Sequence, residues 1–158
     1  MSKRVYCCFL ECATVTCKLT IDNIVEFVKY NDNDLAISGG DANKWTEEKE
    51  ITFQSCDYSS PGTLEIRGTD QNGGGHCVWA GLLLHCVASD NSSPWHNFVS
   101  GVTNWKDKNG GVLCQNDQGF VDQTTYPFIA SLLANGAKKI WTEGEKSVNL
   151  LGSPTFSK

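Results

Sequence analysis

Between residues 13 and 21 every second side chain is apolar: Ala13, Val15, Cys17, Leu19 and Ile21 alternate with Thr14, Thr16, Lys18 and Thr20. Successive side chains of a strand point to opposite faces, so a period of two gives one buried face and one wetter face. A strand of this kind is not stable alone. It requires neighbours in a sheet and a second layer over its apolar face.

The rest of the chain supplies both. Residues 24–30 are rich in β-branched and aromatic side chains, Asn31-Asp32-Asn33-Asp34 gives a turn, and residues 35–38 return. Further strands are predicted at 50–56, 63–67, 77–87, 97–102, 111–114, 138–141 and 147–151. Turn signals separate them, such as Ser59-Ser60-Pro61-Gly62, Asn91-Ser92-Ser93-Pro94 and Lys108-Asn109-Gly110. The run 77–87 is almost continuously apolar, as expected of a central strand covered on both faces, and His85 within it reads as a satisfied core residue. One helix is predicted near residues 126–135. Phe128, Ile129, Leu132 and Leu133 have helical spacing, Thr124 or Thr125 caps the start, Pro127 suits the first turn, and Asn135-Gly136 ends it. Short strands with one short helix predict an all-β fold, an antiparallel β-sandwich of jelly-roll type. No repeat or linker divides the chain, so residues 1–158 are read as one domain.

Eight cysteines stand out: Cys7, Cys8, Cys12, Cys17, Cys56, Cys77, Cys86 and Cys114. No two lie three apart, so the C-x-x-C signature is missing, and the four nearest the start match no zinc spacing. An even count in a loop-rich, acidic chain favours about two to four disulfides and an oxidising compartment, hence a secreted or extracellular protein. Asn91-Ser92-Ser93, a glycosylation sequon, agrees with that. The alternative is a cytosolic protein with reduced thiols, because residues 5–10 are too short for the apolar core of a signal peptide. The net charge of −5 comes with no basic stripe, which argues against nucleic acid as a partner. No stretch approaches the length of about eighteen apolar residues that a membrane span needs.

Catalysis is not expected. His76-Cys77 and His85-Cys86 are adjacent pairs whose side chains point to opposite faces of a strand, so neither pair can share a proton within itself. No nucleophile elbow, zinc-protease helix or phosphate loop is present, and Glu47-Glu48 and Glu143/Glu145 read as solvated charges. Calcium is the more promising chemistry. Residues 32–34 lack the Gly and Glu of an EF-hand and are read as a turn. Asp22-Asn23 and Asp70-Gln71-Asn72 are better placed, each where a strand meets a loop, with Gly73-Gly74-Gly75 alongside to bend carbonyls inward. Trp45 lies in the polar segment Asp41-Ala42-Asn43-Lys44-Trp45-Thr46-Glu47, where it either caps the sandwich edge or stacks on a sugar ring. Trp95 after its Pro turn is a second candidate platform, whereas Trp79, Trp105 and Trp141 lean to the core.

The order of these pieces resembles the galactose-binding-domain-like jelly rolls of sugar-active enzymes. The matching pieces are Ile21-Asp22-Asn23, Val28-Lys29-Tyr30-Asn31, Gly40 to Trp45, Leu64 to Asp70, Gly74-Gly75 and Ala80-Gly81-Leu82-Leu83. They continue with Thr103-Asn104-Trp105, Gly119-Phe120-Val121-Asp122 and Ala137-Lys138-Lys139-Ile140-Trp141. In site layout the chain is similar to the calcium-dependent rhamnose-binding modules attached to α-L-rhamnosidases. That resemblance implies Asp22 and Asn23 as calcium ligands, Asp70 or Asn72 as a third, a carbonyl near His76-Cys77, and Trp45 stacking on a terminal monosaccharide. The candidate sugar-contacting set is then Trp45, Asp41, Asn43, Asn23, His76 and Trp79. The lead expectation is a lectin that binds glycans, with Ca2+ assisting, and that gains avidity as a homo-oligomer. The rival is a structural or adhesion protein in which the sandwich is only a scaffold and the Asx loops merely close turns.

Overall fold

The computed structural model describes residues 12–71, 77, 80–116 and 126–155. Two antiparallel sheets and one short helix make up the fold, as the alternating pattern predicts.

Strand β1 (Ala13–Asp22) is the predicted strand with one residue added, and its odd-numbered members are fully buried. It pairs with β5 (Lys49–Ser55) on one side and β7 (Gly81–Ala88) on the other. Beyond β7 lie β11 (Lys139–Thr142) and β10 (Leu113–Asn116), beyond β5 lies β4 (Ser38–Gly39), and β8 (Phe98–Val99) also pairs with β7. The second sheet runs β3 (Asn33–Asp34), β2 (Ile24–Tyr30), β6 (Leu64–Thr69), β12 (Ser147–Gly152) and β9 (Trp105–Asp107).

Three expectations change at the level of elements. The return predicted at 35–38 is split into the two-residue strands β3 and β4. Of the run predicted at 77–87, Gly81–Ala88 is strand β7, with 78 and 79 outside the described residues, and β9 has no counterpart in the prediction because three residues are too few to show a period. The metal-like run 31–34 is a hairpin turn, as read: Asn31 and Asp32 take φ of 48° and 65°, and Tyr30 pairs with Asn33. Asn is among the residues that tolerate this conformation best, which suits it to a two-residue turn.

Between the sheets, aromatic rings run in a line. Tyr30 stacks on Phe53 at 4.2 Å, Trp95 meets Phe53 and Phe98 edge-on at 5.0 and 4.8 Å, and Phe98 stacks on Trp105 at 5.7 Å. Offset and edge-on pairs of this kind each contribute about 0.5–1.5 kcal/mol beyond the area they bury. Trp95 is fully buried, so it is core and not the second platform the polar run before it suggests. Its Nε1 donates to the Pro61 carbonyl at 2.8 Å, which also accepts from the Tyr30 hydroxyl at 2.7 Å.

A second apolar cluster lies outside the seven-stranded sheet. Helix α1 (Pro127–Ala134) sets Ile129 and Leu132 on Leu83 of β7, with Ala137 completing the cluster and Trp45, Val99, Tyr126 and Phe128 at its margin. The N-cap is Tyr126, with no side-chain cap bond; Thr124 and Thr125, the expected caps, lie outside the described residues. The other end stops where predicted. Gly136, at φ 89°, and Ala137 send their N–H groups back to Leu133 and Leu132.

Three disulfides join described cysteines: Cys12–Cys56, Cys17–Cys86 and Cys77–Cys114. They fit an oxidising environment. Cys7 and Cys8 lie outside the described residues. No helix among the described residues is long and apolar enough to cross a membrane.

Candidate functional site

The loops expected to hold a ligand gather at one end of the sandwich. β1 ends at Asp22 and β2 begins at Ile24, so Asn23 is the corner between the two sheets. Its N–H donates to the Thr69 carbonyl at 3.0 Å, where β6 ends. Its side chain is committed in both directions: Oδ1 accepts from the Gln71 N–H at 2.7 Å, and Nδ2 donates to Asp22 Oδ1. Asp70 follows directly, 3 % exposed, its N–H bonded to the Lys146 carbonyl at 2.9 Å. The structure therefore brings Asp22, Asn23 and Asp70 together across about fifty residues of sequence. Asn72, His76 and Trp79 lie outside the described residues.

Electrostatics mark this corner. Burial pushes the Asp22 carboxyl up to about 6, and the nearby Asp70 charge adds to the rise. Lys139 and the Asn23 amide act in the opposite sense. Lys139 is 1 % exposed; burial lowers its pKa, while Asp22 opposes that. Sequence reading took Lys139 only as part of a strand. The signal that finds it is structural: Ile140 faces inward opposite Leu82, so Lys139 faces the outer side.

Two carboxylates with mutually unfavourable charges suit a cation, and calcium takes about six to eight oxygens. Here the Asn23 Oδ1 accepts one hydrogen bond and keeps a second lone pair, and an ammonium group already acts on Asp22. Asp22, Asn23 and Asp70 are part of the expected calcium set, and its other members, Asn72 and a carbonyl near His76, lie outside the described residues.

The sugar-facing candidates divide. Asp41 and Asn43 close their own loop: Asp41 Oδ1 accepts from the Asn43 N–H at 2.9 Å and from its Nδ2 at 3.2 Å, and the Asp41 N–H donates to Glu47 Oε2 at 2.8 Å. These bonds hold the Asp41 and Glu47 carboxyls below their usual values, chiefly through the backbone N–H groups of Asn43 and Asp41. Lys49, fully buried, underpins the loop by donating to the Lys44 and Glu47 carbonyls; burial lowers its pKa to about 8.

Trp45 is half-buried. Its ring meets Tyr126 edge-on at 5.2 Å beside helix α1, and its carbonyl accepts from Thr20 Oγ1 at 2.6 Å. Thr20 and Asp22 lie two apart on β1 and share its outer face, so the Trp45–Tyr126 pair and the Asp22 corner flank one stretch of the seven-stranded sheet. Tyr126, which sequence reading passed over, is the second ring of this site. Cys77 and Cys86 are both in disulfides, so neither is the thiol of a Cys–His pair.

Two adjoining depressions open on the other sheet, with volumes of about 380 and 320 Å³. They share Thr63 and Leu151; Asn104, Lys106 and Thr155 line one, and Asn31, Glu65 and Lys108 the other.

Comparison with protein-family models, with curated proteins and with solved structures finds no match.

Proposed function

We propose that this protein is a carbohydrate-binding protein of the lectin type, with the outer face of the seven-stranded sheet around Trp45 as its site. The observation that carries this reading is the Trp45–Tyr126 pair. One indole stays partly open to solvent while a second ring props its edge. A held aromatic face stacks on the apolar face of a pyranose without losing much freedom on binding. The Asp22–Asn23–Asp70 corner then supplies oxygens and amide groups for the sugar hydroxyls. Calcium bound at this corner would draw on Asp22, Asn23 and Asp70, with Lys139 competing for the Asp22 charge. Assembly into an oligomer and presence outside the cell belong to the same proposal: a single shallow site binds weakly, and several copies multiply it.

A second reading, a scaffold or adhesion protein without a sugar site, draws on a specific observation. Asp41 and Asn43 bond each other within one loop, and Asn23 ties Asp22 to the Gln71 N–H of the neighbouring loop, so all three side chains already serve the scaffold. A glycan array probed with and without chelator decides between the two. Binding that survives chelator and is lost in Trp45→Ala supports the lectin. A folded protein that binds no glycan in either condition sinks it.

A further inference from the structure

Cys77 and Cys114 lie at the edge of the sandwich where β10 meets β11, and they share their surroundings with a carboxylate. Both sulfurs and a Glu143 carboxylate oxygen lie within 4.8 Å of one another, the one cluster of three possible metal ligands of this kind among the described residues. Cys114 Sγ is 3.2 Å from Glu143 Oε2 and 3.4 Å from the Trp141 carbonyl oxygen. Cys77 Sγ is 3.8 Å from that same carbonyl, and the Cys77 N–H donates to Glu143 Oε2 at 3.2 Å. Oxygen atoms thus surround a sulfur pair that, as a disulfide, has no hydrogen to give them. Thiols can donate to those oxygens, and thiolates can share a cation with them.

The backbone also singles out this pair. Its Cα atoms are 6.1 Å apart, against 4.0 Å for Cys12–Cys56 and 3.9 Å for Cys17–Cys86. Two thiolates on one zinc ion, each about 2.3 Å from the metal in tetrahedral geometry, sit close to 3.8 Å from each other. The wider backbone gap leaves room for the sulfurs to part by that much. Cys17 and Cys86, directly opposed on paired strands and fully buried, have neither that room nor a path for an ion. Cys114 is partly exposed and Glu143 is exposed, so ion and reductant can both reach the cluster from that side.

From this geometry we infer that Cys77, Cys114 and Glu143 form a redox-gated zinc site. A dithiol reductant supplies two electrons and two protons, breaks the S–S bond into two thiols and is itself oxidised to a disulfide. Zinc then binds both sulfurs as thiolates and expels the two protons. The Glu143 carboxylate is the third ligand, and water or the Trp141 carbonyl completes the tetrahedron. A disulfide oxidant then takes the two electrons from the thiolates and two protons from solvent and leaves as a dithiol, the Cys77–Cys114 bond re-forms, and the ion is released. The chain holds zinc only when reduced.

The test uses the full chain, oxidised or reduced with a dithiol that is then removed without air. Bound zinc is measured after dialysis, with cobalt(II) as a spectroscopic probe for thiolate ligation. The expected result is one zinc in the reduced wild type that is missing from the oxidised protein and from reduced Cys77→Ser, but kept in reduced Cys12→Ser. Glu143→Gln should weaken that zinc at least tenfold. Equal binding by reduced wild type and Cys77→Ser overturns the inference, as does zinc held equally by the oxidised chain. Loss of the β-sheet circular dichroism on reduction that zinc does not restore also overturns it.

Discussion

The stem of Lys139 lies across Gly81, filling the space that a Cβ at that position would take. Gly81 opposes Asp22 on β1, so the same contact carries the Lys139 chain past the candidate site toward the carboxylate it helps to hold charged. Gly81→Ala should therefore cost about 1–3 kcal/mol by overpacking. Chemical denaturation measures it. Removing the stem in Gly81→Ala/Lys139→Ala should recover part of the loss, whereas additive losses would show that the two positions are independent.

Trp45 is predicted to serve both stability and binding. Its contact with Tyr126 and the helix cluster makes Trp45→Ala cost about 1–2 kcal/mol, a drop of a few degrees in Tm for a chain of this size. Sugar binding should vanish while the chain stays folded. Trp45→Phe should keep most of the stability and part of the binding. Undiminished binding in Trp45→Ala would remove the platform from the site.

Trp95 gives the contrasting case. Trp95→Ala should cost about 3–5 kcal/mol, because it opens a cavity among Phe53, Phe98 and Tyr30 and leaves the Pro61 carbonyl one donor short. Urea unfolding reads this directly. A cost near zero would place Trp95 at the surface after all.

The pH dependence of stability carries the mark of Lys49. Its pKa in the folded chain falls to about 8 from 10.5, because burial disfavours the charged form. Between those values the unfolded chain binds the proton and the folded chain does not, so this residue's contribution to stability rises with pH across that window. Below about pH 8 the full cost of burying the charge is present. Denaturation at pH 7.5 and 9.5 should show wild type gaining stability relative to Lys49→Met, and a wild-type loss relative to that variant would contradict the burial argument.

Reduction should proceed in the order of exposure. Cys12 is exposed, Cys77–Cys114 is partly exposed, and Cys17–Cys86 is fully buried. Stepwise reduction with trapping of free thiols and mass spectrometry should find Cys12–Cys56 open first and Cys17–Cys86 last. Each closed loop restrains the unfolded chain by about 4 kcal/mol in the chain-entropy picture. Early opening of Cys17–Cys86 would mean that the sheet separates before its edges fray.

Much of the architecture was legible because the physics of a strand is local. β1 and β2 follow from alternation and side-chain shape, and the helix ends at Asn135-Gly136 because that turn needs positive φ. What was hidden is set by distant partners. Trp95 follows a run of Asn-Ser-Ser-Pro that reads as surface, yet Phe53 and the Pro61 carbonyl close over it. Lys139 reads only as one member of a short strand, but it is buried on the face of the sheet that helix α1 partly covers. The candidate corner is intermediate. Strand ends predicted where Asp22 and Asp70 lie, but no spacing could reveal that Asn23 spends its amide on Gln71 and Asp22.

The cross-links also decide how the molecule bears a load. A force applied at Cys12 passes to Cys17, across to Cys86, back to Cys77 and across to Cys114. That route crosses only about 14 residues of backbone where the sequence between Cys12 and Cys114 holds about 100, so some 50 Å of chain can pay out instead of roughly 350 Å. Pulled between Cys12 and Cys114, the oxidised protein is a short tether with inextensible rungs, and opening the Cys77–Cys114 rung lengthens it.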